Sequence, residues 1–196
     1  MTACTFDAET HEYRIGGRKV VGVTTVLNDL IPGYRASDWY LQRGRAVHAA
    51  AAFVARGIAF EHDPRITGQV EAARKFFREI QPTVIAVERQ VYSPRFLYGG
   101  TLDLDCEISG RPMIADYKAA ITQATIYQCA AYAQALRETG RNINHGVGVE
   151  LHADGNYRMS DVWDLKRPTQ EWLAMLTTFR IRERLGCLNK EISDEA

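Results

Sequence analysis

The chain has 196 residues, 46% hydrophobic and 24% charged, with 24 basic and 24 acidic side chains and no net charge. That length suits one domain with a substantial core, and zero net charge is not the bulk signature of a nucleic-acid binder. No apolar run approaches the ~20 residues of a membrane span, the first ten residues lack the pattern of a secretory leader, and the four cysteines lack disulfide or zinc spacing, so a reduced, cytoplasmic protein without a membrane partner is expected.

Charge is uneven along the chain. Residues 1–98 carry 13 Lys/Arg against 10 Asp/Glu, and residues 99–196 carry 11 against 14. Residues 5–21 alternate around Gly16-Gly17 and read as a hairpin. Thr24 or Thr25 can cap a short helix from Val26 to Leu30, stopped by Pro32-Gly33. Ser37 can cap a second helix from Asp38 to about Arg56, in which Gly44 and Ala49–Ala52 suggest close packing against another element. Residues 57–65 form a loop. Ile66–Ile80 has helical spacing at Val70, Ala73, Phe76 or Phe77, and Ile80, and ends before Pro82. Val84–Tyr92, Gly99–Ile108 and Pro112–Lys118 read as strands, the last two joined by a Ser109-Gly110 turn. Ile121–Thr139 is Ala-rich and helical, closed by Gly140. His145–Leu151 and Tyr157–Leu165 are strands around Asp154-Gly155, and Pro168 opens a last helix ending near Gly186. The tail to Ala196 is polar. The order α-β-β-β-α-β predicts an α/β (α+β) fold, a mixed sheet with helices on its faces.

The chemistry concentrates between Gly99 and Tyr132. Alternation puts Asp116 and Lys118 on one strand face, and Asp103 on the neighbouring strand can face the same cleft. By the same alternation Asp103 and Asp105 share a face. Two carboxylates and an amine can hold a hard divalent cation and position a water beside it, with the backbone carbonyl of Tyr117 as a further oxygen ligand. The Tyr117 ring points the other way, into the core. Acid-x-Lys alone is a weak signal, because it recurs at Asp164–Lys166; the context of a G-x-x-D strand before it and Q-x-x-x-Y after it distinguishes Asp116. Gln128 and Tyr132, four apart, share a helix face.

In these motifs the chain resembles the PD-(D/E)xK nuclease superfamily, in its RecB-like and phage exonuclease branch, over about Phe6 to Leu165. The matching elements are G-T-L-D at Gly100–Asp103, D-Y-K at Asp116–Lys118, Q-C-A-A-Y at Gln128–Tyr132, and G-R-A-V-H at Gly44–His48. The opening H-E-Y-R-I-G-G-R-K-V-V-G-V-T-T-V-L from His11 to Leu27 is similar to a segment of phage-encoded members, with Gly22 where serine is usual. The resemblance implies a restriction-endonuclease-like αβββαβ core (about 37–165) with an N-terminal hairpin and helix (about 1–36) and a C-terminal helix (about 168–186), all in one domain.

It also implies a magnesium- or manganese-dependent deoxyribonuclease, an exonuclease leaving 5′-phosphate ends in phage recombination or DNA repair. His48, Asp103 and Asp116 would bind metal, Lys118 would assist the water, and Gln128 and Tyr132 would position the strand. The family selects Asp103 over Asp105. Glu88, an acid within an apolar strand, is an additional candidate ligand or an ordinary strand acid. Arg43, Arg45, Arg74, Lys75 and Arg78 are candidate phosphate contacts, and Trp39, Tyr40 and Phe96 candidate base-stacking residues. DNA is the expected partner, alongside a recombination or single-strand-binding protein. Some RecB-like members carry an iron–sulfur cluster; the positions of Cys4, Cys106, Cys129 and Cys187 predict none here. Two readings compete with exonuclease action: an inactive nuclease-like module that binds DNA or protein, and a structure-specific endonuclease. Strand polarity and oligomeric state stay open.

Overall fold

The computed structural model describes residues 3–31 and 38–189, with the side chains of 38–41 left out. The Pro32-Gly33 stop, the Ser37 cap, the Trp39 and Tyr40 rings and the tail beyond Asn189 therefore lie outside the described residues. Three short strands open the chain: β1 (Cys4–Asp7), β2 (Glu12–Ile15) and β3 (Arg18–Gly22), an antiparallel meander whose β2–β3 turn is Gly16-Gly17. Helix α1 (Val23–Leu30) follows directly. It starts at Val23 rather than Val26, with Gly22 at its N-cap and no side-chain cap, so neither Thr24 nor Thr25 caps it. Val23, Val26 and Leu27 are buried, so tertiary packing rather than a cap stabilises this start.

Helix α2 (Asp38–Ala55) and helix α3 (Thr67–Ile80) are joined by a loop ending in a 3-10 turn at Pro64–Ile66. Ala50, Ala51 and Ala52 are buried as their run suggested, but a Cβ on Gly44 would meet nothing within 4 Å, so Gly44 is not a close-packing point. Gly68 is one: a Cβ there would lie 1.8 Å from the Ala153 carbonyl oxygen. Strands β4 (Thr83–Ser93), β5 (Tyr98–Ile108) and β6 (Arg111–Lys118) form the antiparallel centre, and β6 then pairs in parallel with β7 (His145–Leu151) across helix α4 (Gln123–Glu138).

The expected strand Tyr157–Leu165 is instead two pieces, β8 (Tyr157–Met159) and β9 (Trp163–Asp164), both on β7. Ser160 causes the break. Its N–H donates to the Gly148 carbonyl and its hydroxyl accepts the Gly148 N–H, each at 3.0 Å, so a side chain occupies a rung of the ladder. Helix α5 (Lys166–Arg184) starts two residues before Pro168, where Asp164 Oδ1 accepts the Lys166 N–H at 2.9 Å. The second acid-x-Lys of the chain is thus a turn at a helix start.

The strands form one mixed sheet in the order β1-β2-β3-β5-β6-β7-β8, with β4 on the other side of β5. Two cores lie on its two faces. One joins α1, α4 and α5 through Val26, Tyr98, Leu102, Ile114, Leu136 and Trp172; the other joins α2 and α3 through Ala51, Phe76, Leu104, Tyr117 and Val149. Phe96 packs against the first of these rather than standing clear as a stacking platform. Among the described residues, no helix is long and apolar enough to cross a membrane.

Candidate metal centre

The site forms where β5 and β6 part. Their pairing runs from Ile108↔Arg111 to Leu104↔Ala115 and stops, whereas β6 continues on β7 through Asp116↔Gly148 and Lys118↔Glu150. Asp103 occupies the fork. Its Oδ2 accepts the Tyr117 N–H at 2.7 Å, replacing the carbonyl a paired strand would supply, and its Oδ1 accepts from His48 Nδ1 at 2.9 Å. His48 comes from α2, which crosses β4 and β5 on the side of the second core.

A change of face accompanies the fork. Residues two apart on a strand should share a face, yet Leu102 and Leu104 enter opposite cores. On β4, Val91 and Val87 divide the same way, although four residues separate them. The register brings Glu88 opposite Asp103, and neither makes a pairing rung there. Glu88 has φ of +48°, a left-handed conformation that side chains rarely adopt within a strand. Asp103 and Asp105 consequently do not share surroundings, contrary to the alternation. Asp105 is fully buried and accepts from Arg141 Nη2 at 2.7 Å and Arg89 Nη1 at 3.2 Å, tying β4 and the α4–β7 connection to β5.

The ligand atoms of His48, Glu88 and Asp103 lie within 4.8 Å of one another. Asp116 flanks this group but is turned toward Lys118, whose Nζ is 2.5 Å from its Oδ2. Asp116 Oδ1 and Glu88 Oε1 are buried without a hydrogen-bond partner. Such orphaned anionic oxygens are costly unless a cation compensates them. One imidazole and several carboxylates suit a divalent ion that favours oxygen with some nitrogen, so the residues present fit a metal.

Burial pushes the Asp116 carboxyl up to about 6 against the opposing pull of Lys118, and the Asp103 charge adds to the rise. Burial likewise raises Glu88, reinforced by Asp103. Burial would raise Asp103 too, but His48, Lys118 and the Tyr117 N–H outweigh it and hold that carboxyl below its ordinary range. Burial alone would lower His48 and Lys118; Asp103 raises the first, and Asp116 with Asp103 raises the second, so both move upward. Lys118 is therefore an ammonium at neutral pH.

The Tyr117 ring is buried in the second core, edge-on to His48 at 6.2 Å, as the alternation predicts. From α4, Gln128 Nε2 donates to Tyr132 Oη at 2.9 Å. Burial and the negative charge of Asp116 both hold the Tyr132 phenol protonated. Among the basic candidates, Arg74 pairs with Glu71 at 2.6 Å and Lys75 donates to Asn156 at 2.8 Å, on the outer side of α3. Arg78 is exposed on the same helix, and Arg43 and Arg45 are on α2. Arg74 and Lys75 thus hold partners outside the cluster. Glu150, absent from the sequence reading, is buried at the end of β7. It accepts the Ile121 N–H at 2.7 Å and Arg158 Nε at 2.8 Å, fixing the approach to α4 beside Lys118. An acid closing the apolar run H-G-V-G-V-E-L is the signal that marks it.

No family model and no curated protein matches the chain. Among solved structures, a provisionally named exonuclease from Eubacterium rectale is similar at 12% identity and a TM-score of 0.55, covering 87% of this chain and 83% of that one. An alkaline exonuclease from Laribacter hongkongensis is matched at 13% identity, over 85% of this chain and 93% of that one, with TM-scores of 0.42 for its complex with dAMP and 0.41 for a second structure. At 12% identity the first likeness is one of architecture: this chain has the restriction-endonuclease-like fold, a mixed sheet flanked by helices.

Proposed function

We propose that this protein is a divalent-metal-dependent deoxyribonuclease of PD-(D/E)xK type, an exonuclease of the RecB-like and phage branch. The observation that carries the reading is the convergence of His48, Glu88 and Asp103 within 4.8 Å beside the Asp116–Lys118 pair, with buried carboxylate oxygens left unpartnered. The fold shared with a provisionally named exonuclease supports it. His48, Glu88, Asp103 and Asp116 would hold magnesium or manganese, with the Tyr117 carbonyl as a further ligand. When bound, such an ion stabilises charge on phosphate oxygens and acidifies water.

The chain's own groups supply the rest. The Lys118 ammonium, held by Asp116, donates a hydrogen bond and a positive charge toward the scissile phosphate. The Tyr117 amide fixes the Asp103 carboxylate, and His48 holds its other oxygen. The hydroxyl of Tyr132, itself buried in the first core, accepts from Gln128 Nε2 and fixes that side chain, and the half-buried Gln128 positions the strand. The products would be 5′-phosphate ends, and the setting phage recombination or DNA repair in a cytoplasm, with a recombination or single-strand-binding protein as partner.

The test is incubation of end-labelled linear and closed circular DNA with and without manganese. Linear DNA should be degraded only with metal, and circular DNA spared. Asp116→Ala and Lys118→Ala should each reduce cleavage at least a thousandfold while circular dichroism stays unchanged. Cleavage of circles would make the protein an endonuclease, and full activity in both variants would remove the assignment.

A further inference from the structure

We propose that the outer face of α2, with the ring ladder beside it, is a stacking and phosphate-contacting surface for the unpaired strand of a DNA substrate. This rests on the nuclease reading and adds a binding subsite to it.

Helix geometry sets the arrangement. At about 100° per residue, Arg45, Ala49 and Phe53 of α2, and Arg56 just past its end, whose N–H still bonds the Ala52 carbonyl at 3.2 Å, fall within roughly 60–140° of His48 on one flank. Arg45, Ala49, Phe53 and Arg56 are exposed, whereas Ala50 and Ala51 on the opposite flank are buried. One helix therefore presents a ligand histidine to the metal centre and, beside it, a stripe of cation, small residue, aromatic and cation. Phe53 is five residues from His48, about 7.5 Å along the axis. That is roughly two stacked nucleotide steps of 3.4 Å.

The aromatic end is built. Phe53 is 37% exposed and stacks on Phe60 at 5.1 Å and 25°. Phe60 in turn lies 5.7 Å from the His62 ring, which Thr67 holds through a 3.2 Å hydrogen bond. Beside this ladder Ile58 is 48% exposed, its N–H bonded to the Phe53 carbonyl. Among the described residues neither Arg45 nor Arg56 makes an ion pair, in a chain where Arg65, Arg74, Arg141, Arg158 and Arg182 all do. The positive charge of Arg56 acts on Glu88, so Arg56 is within electrostatic reach of the metal centre. One exposed ring, Phe53, backed by the half-buried Phe60 and His62 and sharing its helix flank with guanidinium groups, matches a single strand, whose bases offer π-faces that a duplex hides.

The test compares wild type, Phe53→Ala, Phe53→Trp and Arg56→Ala. Each is assayed with manganese on a 5′-labelled single strand and on a blunt duplex, and by fluorescence anisotropy with the single strand in metal-free buffer. Phe53→Ala should raise KM on the single strand about tenfold, within the loss expected for one stacked base. Its kcat should stay within twofold, the duplex KM should change less, and Phe53→Trp should restore the wild-type value. Arg56→Ala should lower the slope of log affinity against log salt by about one. If wild type cleaves but Phe53→Ala leaves single-strand KM unchanged, the surface is not a DNA site. If instead Phe53→Ala abolishes a concentration-dependent self-association seen by sedimentation, the face joins copies of the chain and the proposal falls. Should wild type cleave nothing, the nuclease reading fails separately. The anisotropy arm then decides: weaker binding by Phe53→Ala upholds the surface, and equal binding overturns it.

Discussion

Glu88 concentrates the strain of this site in one residue. Its φ of +48° within a strand costs of order 1–3 kcal/mol, and it brings a carboxylate to His48 and Asp103. Around it, burial raises Asp116, to about 6, and Glu88, while the Asp103 carboxylate raises His48 against burial, so all three hold protons more tightly than usual. A metal binds the deprotonated carboxylates and the neutral imidazole, so it must displace those protons. The sign follows directly: affinity rises with pH. Calorimetric titration with manganese should show binding at least tenfold tighter at pH 7 than at pH 5.5, with net proton release. Affinity independent of pH across that interval would contradict the protonation pattern described for the cluster. Asp103, Asp116, Lys118 and His48 were legible in the sequence because each sits in a motif. The left-handed turn at Glu88 was not, since nothing in V-I-A-V-E-R-Q-V distinguishes it from a regular strand.

At the scale of elements, the glycine pair that opens β5 explains how Asp103 is placed. A Cβ on Gly100 would lie 2.5 Å from the Tyr132 ring, and one on Gly99 would lie 2.7 Å from Tyr13. The strand is thus gripped from one face by the helix that carries Gln128 and from the other by the N-terminal meander, with Tyr13 also hydrogen-bonded to Thr101 at 3.0 Å. This gives H-x-Y at His11–Tyr13 a packing role. Gly100→Ala should cost about 1–3 kcal/mol through overpacking, read as a lower denaturation midpoint. Because Asp103 is three residues on, cleavage should fall with it. A variant of wild-type stability would mean Tyr132 can move aside. The elements themselves were largely legible, since apolar periodicity marks α3 and the central strands. Boundaries failed where side chains bond the backbone: the Thr125 hydroxyl accepts the Thr122 N–H at 3.1 Å in a capping box, so α4 starts at Gln123, and Ser160 breaks the strand after β7.

Across the whole molecule, two cores on opposite sheet faces meet at the fork, and polar clamps join their elements. Asp29 of α1 accepts from Arg182 of α5 at 2.8 Å, and Asp105 and Glu150 hold the connections around α4. Arg158 and the Ile121 N–H draw the Glu150 carboxyl down to about 2 despite burial. A carboxyl depressed in the folded state stabilises it above the unfolded value of about 4.3, and that contribution disappears as pH falls toward 2. Glu150→Gln should therefore melt below wild type at pH 7, by about 2 kcal/mol. The gap should narrow in scans at successively lower pH below about 4.5. A constant gap would show that Glu150 acts by shape and not by charge.

Residue type and local spacing were enough for the sequence to determine the order of helices and strands and the mixed sheet, and the motif resemblance pointed to most of the candidate site. These are properties of neighbours along the chain: apolar period, turn residues, an acid two positions from a lysine. Only the tertiary structure decided that β5 and β6 part at Asp103, that Asp105 turns to Arg89 and Arg141 instead of the cluster, and that Glu88 converges with His48. Those outcomes depend on contacts between segments up to 55 residues apart, His48 with Asp103 among them. Strand alternation assumes a regular ladder, and the ladder ends where the carboxylates gather.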